Sequence, residues 1–168
     1  LELKDFKRFE KQIILKNVGV VGQKKILNAK VLIIGIGGLG CPLLTYLAAS
    51  GVGTIGIADP DKVEISNLNR QTLFSTNDIG KYKVDQAKFG INRINKKIRI
   101  KIFKKKITSK NIKSIIKDFE IICDGTDNFE TRYLINDECK KMKKILISAA
   151  ISKFDGHLYK FNFKKKTS

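Results

Sequence analysis

KVLIIGIGGLGCPLLTYLAASGVGTIGIAD, residues 30–59, decides the fold. KVLIIG (30–35) is an unbroken apolar run ending on glycine, the pattern of a strand buried on both faces. Leu39 to Ser50 continues as a helix that Gly51 and Gly53 terminate, and TIGIAD (54–59) is a second buried strand ending on a carboxylate. A strand, a glycine turn, a helix and a second buried strand in 30 residues form a βαβ unit with a parallel sheet.

Outward from this unit the alternation continues. Lys81 to Asn95 reads as a helix, with Val84, Ala87, Ile91 and Ile94 on one face. IRIKIF (98–103) reads as a third strand, followed by a short helix through Lys117 that Thr108-Ser109 is expected to cap. EIICDG (120–125), Asn128 to Lys143, KILISAAI (144–151) and GHLYKFNF (156–163) read as strand, helix, strand, strand, with KKKTS as a frayed end. The expected architecture is a Rossmann-like, doubly wound α/β fold with a mainly parallel sheet and helices on both faces. Residues 1–28 read as a helical extension and residues 29–168 as the nucleotide-binding domain.

Composition narrows the class. The chain has 168 residues, 42% of them hydrophobic, too many for a disordered basic tail and enough for one core. No apolar run reaches the roughly 18–20 residues of a membrane span, and the first residues contain no secretory h-region. The 34 Lys+Arg against 16 Asp+Glu give a net charge of +18. The cations are mostly lysines scattered in pairs and triplets, without the aromatic interleaving of a nucleic-acid surface, so nucleic acid is not the expected partner. Cys41, Cys123 and Cys139 lack CxxC spacing, and His157 is the sole histidine, so no disulfide framework or zinc site is expected within these residues. Cytoplasm is the expected compartment; the A/T-codon bias in Lys, Ile and Asn also suits a plastid stroma.

In an open parallel sheet the ligand crevice lies beyond the carboxyl ends of the strands. Gly35, Gly37 and Gly40 there form GxGxxG, where a tight turn lets backbone N–H groups approach a phosphate. Asp59 follows where an acid would bond a ribose. SNLNRQ (66–71) then adds an arginine and amides, GKYK (80–83) a lysine, and DGTDN (124–128) further carboxylates. Added cations suit a nucleoside triphosphate better than a nicotinamide dinucleotide, and a facing carboxylate suits magnesium. Taken singly, Lys83 reads as a surface lysine and Asp127 as a helix N-cap.

RFEKQI (8–13), GIGGLGCPL (35–43), ADPDKVEISNLNRQ (58–71), the 80–83 turn and DGTDNFETR (124–132) together resemble the ThiF/MoeB/HesA family, over roughly residues 6–163. The resemblance implies ATP- and Mg2+-dependent adenylation of the C-terminal glycine of a ubiquitin-like sulfur carrier, with release of pyrophosphate. It implies Arg70, Lys83 and Asp127 as catalytic residues, the last anchoring magnesium with Asn128 beside it. Gly38 would lie under the nucleotide, Asp59 on the ribose, and Ser66, Asn67, Leu68 and Asn69 with Arg70 around the phosphates. Asp61 is a further candidate for the same pocket. It implies a homodimer in which the residue at Lys11, an arginine in most of the family, reaches the partner's site. It also implies that zinc-binding CxxC pairs and a catalytic-cysteine loop lie beyond a segment of this length. The alternatives are a non-catalytic dimerising scaffold of the same fold and an NAD-dependent oxidoreductase. The oxidoreductase would use the glycines and Asp59 but leave Arg70, Lys83 and Asp127 idle.

Overall fold

The computed structural model describes residues 1–164. Helices α1 (Leu3–Ile13) and α2 (Gly19–Asn28) lead into β1 (Lys30–Ile34), α3 (Gly40–Ser50) and β2 (Thr54–Ala58). Two 3-10 turns follow, and then α4 (Lys83–Ile94), β3 (Arg99–Phe103), α5 (Ile112–Ile116) and β4 (Ile121–Asp124). The described chain closes with α6 (Phe129–Lys141), β5 (Ile145–Ser152) and β6 (Asp155–Asn162). The six strands lie in the order β3-β2-β1-β4-β5-β6. The ladders are parallel from β3 through β5, and only β6 runs antiparallel, as the return of a hairpin from β5.

Side-chain alternation along β1 explains why both faces are covered. Val31 and Ile33 join Ile55, Ile57, Leu44, Val84 and Ile91 in one buried cluster, with α3 and α4. Leu32 and Ile34 join Ile112, Ile116, Ile122 and Ile135 in the other, with α5 and α6. A strand buried on both sides must be apolar at every position, which is how 31–34 reads. The sheet is therefore doubly wound as expected, and its strand order reverses between β1 and β4, the place where such folds hold ligands.

Two local expectations are corrected. The N-cap of α5 is Asn111 rather than Thr108 or Ser109; its side chain accepts a hydrogen bond from the Thr108 N–H (2.9 Å) and makes a turn ahead of the helix. Asn128, not Asp127, caps α6, accepting from the Thr131 N–H at 2.9 Å. In the KKKTS end, residues 165–168 lie outside the described residues.

The first helix packs at the far end of α3. Phe9 is buried against Gly51, and Gln12 donates to Gln23 (2.8 Å) and to the Ser50 carbonyl (3.1 Å). Lys11 points outward, its side chain 85% exposed beside Glu10. No helix among the described residues is long and apolar enough to cross a membrane.

All three cysteines are buried as free thiols. Burial pushes the Cys41 thiol up to about 11 and those of Cys123 and Cys139 up to about 12. At pH 7.5 the folded protein should therefore give no rapid reaction with a disulfide reagent such as DTNB, and all three thiols should react after unfolding. Fast labelling of even one thiol in the native protein would contradict this packing.

Candidate active site

The glycine turn is held from three sides. Gly35 has φ +90, open to a residue without Cβ, and a Cβ there would stand 3.0 Å from the Gly125 carbonyl oxygen. A Cβ on Gly40 would lie 2.0 Å from the Gly35 oxygen, so the chain closes on itself only with glycine at that position. The Asp59 carboxylate accepts the Ile36 N–H at 2.7 Å and the Asp61 N–H at 2.8 Å, tying the turn to the end of β2. Asp59 is 5% exposed; burial pushes its carboxyl above the ordinary range, while the two N–H groups pull the other way.

After β2 the chain doubles back. An antiparallel bridge pairs Lys62 with Tyr82, and the Lys83 N–H donates to the Asp61 carbonyl at 3.0 Å. That return brings the Lys83 ammonium to 3.1 Å from the Asp61 carboxylate. Lys83 is only 6% exposed, so it is not the surface lysine that its residue type alone suggests, and its charge acts on Asp59 as well.

Residues 66–71 wrap over that turn. Asn67 is buried, its side-chain oxygen accepting the Glu64 N–H at 3.1 Å, and Leu68 packs on the core. Arg70 crosses the face of Gly38, with Cγ and Cδ 3.4 Å from where a Cβ would stand. Its guanidinium donates to the Ser66 carbonyl (2.9 Å) and to the Asn69 side chain (3.1 Å), which aims an otherwise flexible cation across the glycines. Beside it Gln71 is 3% exposed, its Nε2 3.8 Å from the Cβ position of Gly37. Its Oε1 has no hydrogen-bond partner among the described residues.

The end of β4 supplies the third wall. Gly125 packs on Gly35, and the exposed Asp127 follows it, with Asn128 turning the chain into α6. The structure thus places Gly38, Asp59, Asp61, Arg70 and Lys83 in direct contact with the glycine turn or with one another, and Asp127 on the adjoining loop. It does not bring Lys11 to the turn of its own chain. Two groups were missed by reading the sequence: Gln71, and the pair Asp124 and Arg132 described below. For Asp124 the signal was an acid closing a buried strand; for Arg132 the sequence carries none, since its partners Ser148 and Ala149 lie on β5.

The residues fit a phosphate-rich ligand. The Arg70 guanidinium lies over the small surface of Gly38, and the Lys83 ammonium is held at Asp61 just past the end of β2, two cations suited to phosphate oxygens. Among the described residues no group of three or more His, Cys, Asp or Glu could hold a metal ion. A single carboxylate such as Asp127 suits magnesium, which keeps most of its shell for water and phosphate oxygens.

Comparison with known proteins gives the family and the fold relatives. The ThiF family model matches residues 9–168. The chain is 45% identical over 161 residues to a probable molybdopterin-synthase adenylyltransferase of Porphyra purpurea, covering 96% of this chain and 42% of that one. It is 40% identical over 155 residues to a sulfur carrier protein adenylyltransferase of Thermus thermophilus, covering 92% and 57%. Among solved structures, PaaA superposes with a TM-score of 0.88 at 27% identity, over 100% of this chain and 58% of that one. E. coli MccB with MccA-N7isoASN gives 0.79 at 29% identity, over 86% and 43%. The chain spans about half the length of the relatives it matches. On the strength of a family match that runs over nearly its whole length, the chain belongs to the ThiF family.

Proposed function

We propose that this chain carries the nucleotide site of an enzyme that adenylates the C-terminal glycine of a ubiquitin-like sulfur carrier with ATP. The observation that carries the reading is the pairing of Arg70 laid over Gly38 with a buried Lys83 beside Asp59. A dinucleotide needs no such cations, whereas attack of a carboxylate on a phosphate brings two anions together and requires them. Relatives of this chain named as adenylyltransferases support the same chemistry.

In this reading a carboxylate oxygen of the carrier's terminal glycine forms a bond to the α-phosphorus of ATP. The bond from that phosphorus to the bridging oxygen breaks, and pyrophosphate leaves. Arg70 holds the phosphates in line, with Ser66, Asn67, Leu68 and Asn69 shaping the loop that aims it. Lys83 lowers the repulsion at the α-phosphate, and Asp59 faces the ribose while it fixes the glycine turn. Magnesium, when bound, neutralises phosphate charge; Asp127 is the carboxylate that would hold it, with Asn128 beside it. Lys11 serves a second copy of the chain, in a homodimer supported by the exposed Leu3 and Phe6 on α1 and Ile14 and Leu15 just after it.

The test is exchange of labelled pyrophosphate into ATP. Exchange should require magnesium and a carrier with a free C-terminal glycine, and should vanish when that glycine is removed. A folded protein that gives no exchange with any sulfur carrier of its own genome would refute the reading.

A further inference from the structure

The carboxyl end of β4 is held by a buried ion pair that phosphate binding leaves unused. Asp124 is 3% exposed. Its Oδ1 accepts from the N–H (3.0 Å) and the hydroxyl (2.7 Å) of Thr126, and its Oδ2 accepts from the Ser148 hydroxyl at 2.8 Å. Arg132 reaches back from α6 into this cluster. Its Nη1 donates to the Ser148 hydroxyl at 3.0 Å and lies 3.4 Å from Asp124 Oδ2. Its Nη2 donates to the Ala149 carbonyl at 2.7 Å and to the Thr126 carbonyl.

We infer that Arg132 is a positioning residue: it clamps the 125–128 turn against β5 and so fixes where Asp127 stands. The inference rests on the adenylation reading for its consequence, though not for its geometry. Asp127 is exposed, and its carboxylate accepts no hydrogen bond among the described residues, so only its backbone places it. That backbone is pinned at Gly125 by contact with Gly35, at Thr126 by Arg132 and Asp124, and at Asn128 by the cap of α6. The first ties the turn to β1, where the Gly125 N–H also donates to the Ile34 carbonyl at 3.0 Å, and the middle one ties it to β5.

The strand reached matters. β4 and β5 pair only as far as Asp124 opposite Ser148, beyond which β5 pairs with β6 alone. Arg132 bonds both Ser148 and Ala149, the last paired residue and the first beyond it. A planar fork with several donors can hold these acceptors at once, and an ammonium cannot. A buried ion pair is a poor source of net stability compared with apolar packing, so its worth here lies in fixing the turn.

Arg132→Met and the charge-retaining Arg132→Lys test this, with thermal unfolding and circular dichroism as checks of folding. Hydrogen exchange in the protein without nucleotide reads the clamp directly. The Thr126 amide, bonded to the Asp124 carboxylate, should exchange at least about tenfold faster in both variants, while the amides of β1 keep their protection. Pyrophosphate exchange reads the consequence. The magnesium concentration for half-maximal rate should rise about 10–100-fold, as for loss of a group that orients a metal ligand. Nucleotide affinity without magnesium should stay within about threefold. Unchanged protection of the Thr126 amide in either folded variant overturns the clamp. Faster exchange there with an unmoved magnesium dependence, or with a general loss of nucleotide affinity, overturns the assignment to Asp127. If the unmodified protein shows no pyrophosphate exchange, the adenylation reading fails and hydrogen exchange decides the clamp by itself.

Discussion

Arg70→Ala should lower carrier-dependent pyrophosphate exchange by about 10²–10³ while leaving the melting temperature within about 2 °C. The two halves of this expectation come from one geometry. Arg70 lies on the surface of the site, and its guanidinium bonds only the Ser66 carbonyl and the Asn69 side chain, both exposed. Removing it strands no buried polar group, so stability has little to lose. Catalysis loses the one fork that crosses Gly38. Arg70→Lys should recover charge but not two-point contact, and fall between the two. Exchange assays and thermal scans on the same samples check both halves. Activity within threefold of the unmodified protein, or a large fall in melting temperature, would show that Arg70 serves the loop and not the phosphates.

Gly40→Ala should act in the opposite sense, through the fold. The added methyl would meet the Gly35 carbonyl oxygen at 2.0 Å, and backbone has no rotamer by which to move aside. The turn must open, which strains the Ile36 N–H to Asp59 bond and the packing of Gly125 on Gly35. We expect a loss at or above the upper end of about 1–3 kcal/mol for overpacking, a fall of about 6–12 °C in melting temperature. Gly156→Ala is the control, because a Cβ there meets nothing within 4 Å and should shift the transition by no more than about 2 °C. Equal melting temperatures for the two variants would contradict the closure of the turn.

Much of the architecture was legible because apolar periodicity is a local signal. Residues 31–34, 55–58 and 122–124 carry continuous burial, and the glycines and carboxylate ends that follow them mark the crevice. What could not be read depends on partners far along the chain. Lys83 is one lysine among many until the Lys62–Tyr82 bridge folds it inward against Asp61. The choice between Asp127 and Asn128 as the cap of α6 turns on one residue of register, below what composition resolves. Arg132 has no distinguishing spacing; its role exists only once β5 lies beside β4 and presents Ser148 and Ala149. Gln71 is likewise defined by what surrounds it, a buried amide over Gly37.

The place of β1 has a consequence for biosynthesis. This strand is among the first parts of the domain to leave the ribosome, yet it ends up in mid-sheet, between β2 and β4. Its β2 flank can zip up soon after translation, but its other flank waits for residues 121–124. At cellular elongation speeds of about 5–20 residues per second, that wait is on the order of 10 s. Throughout it, an Ile- and Leu-rich edge stays available to wrong neighbours, so a nascent chain stalled before Ile121 should be a client of trigger-factor- or Hsp70-type holdases.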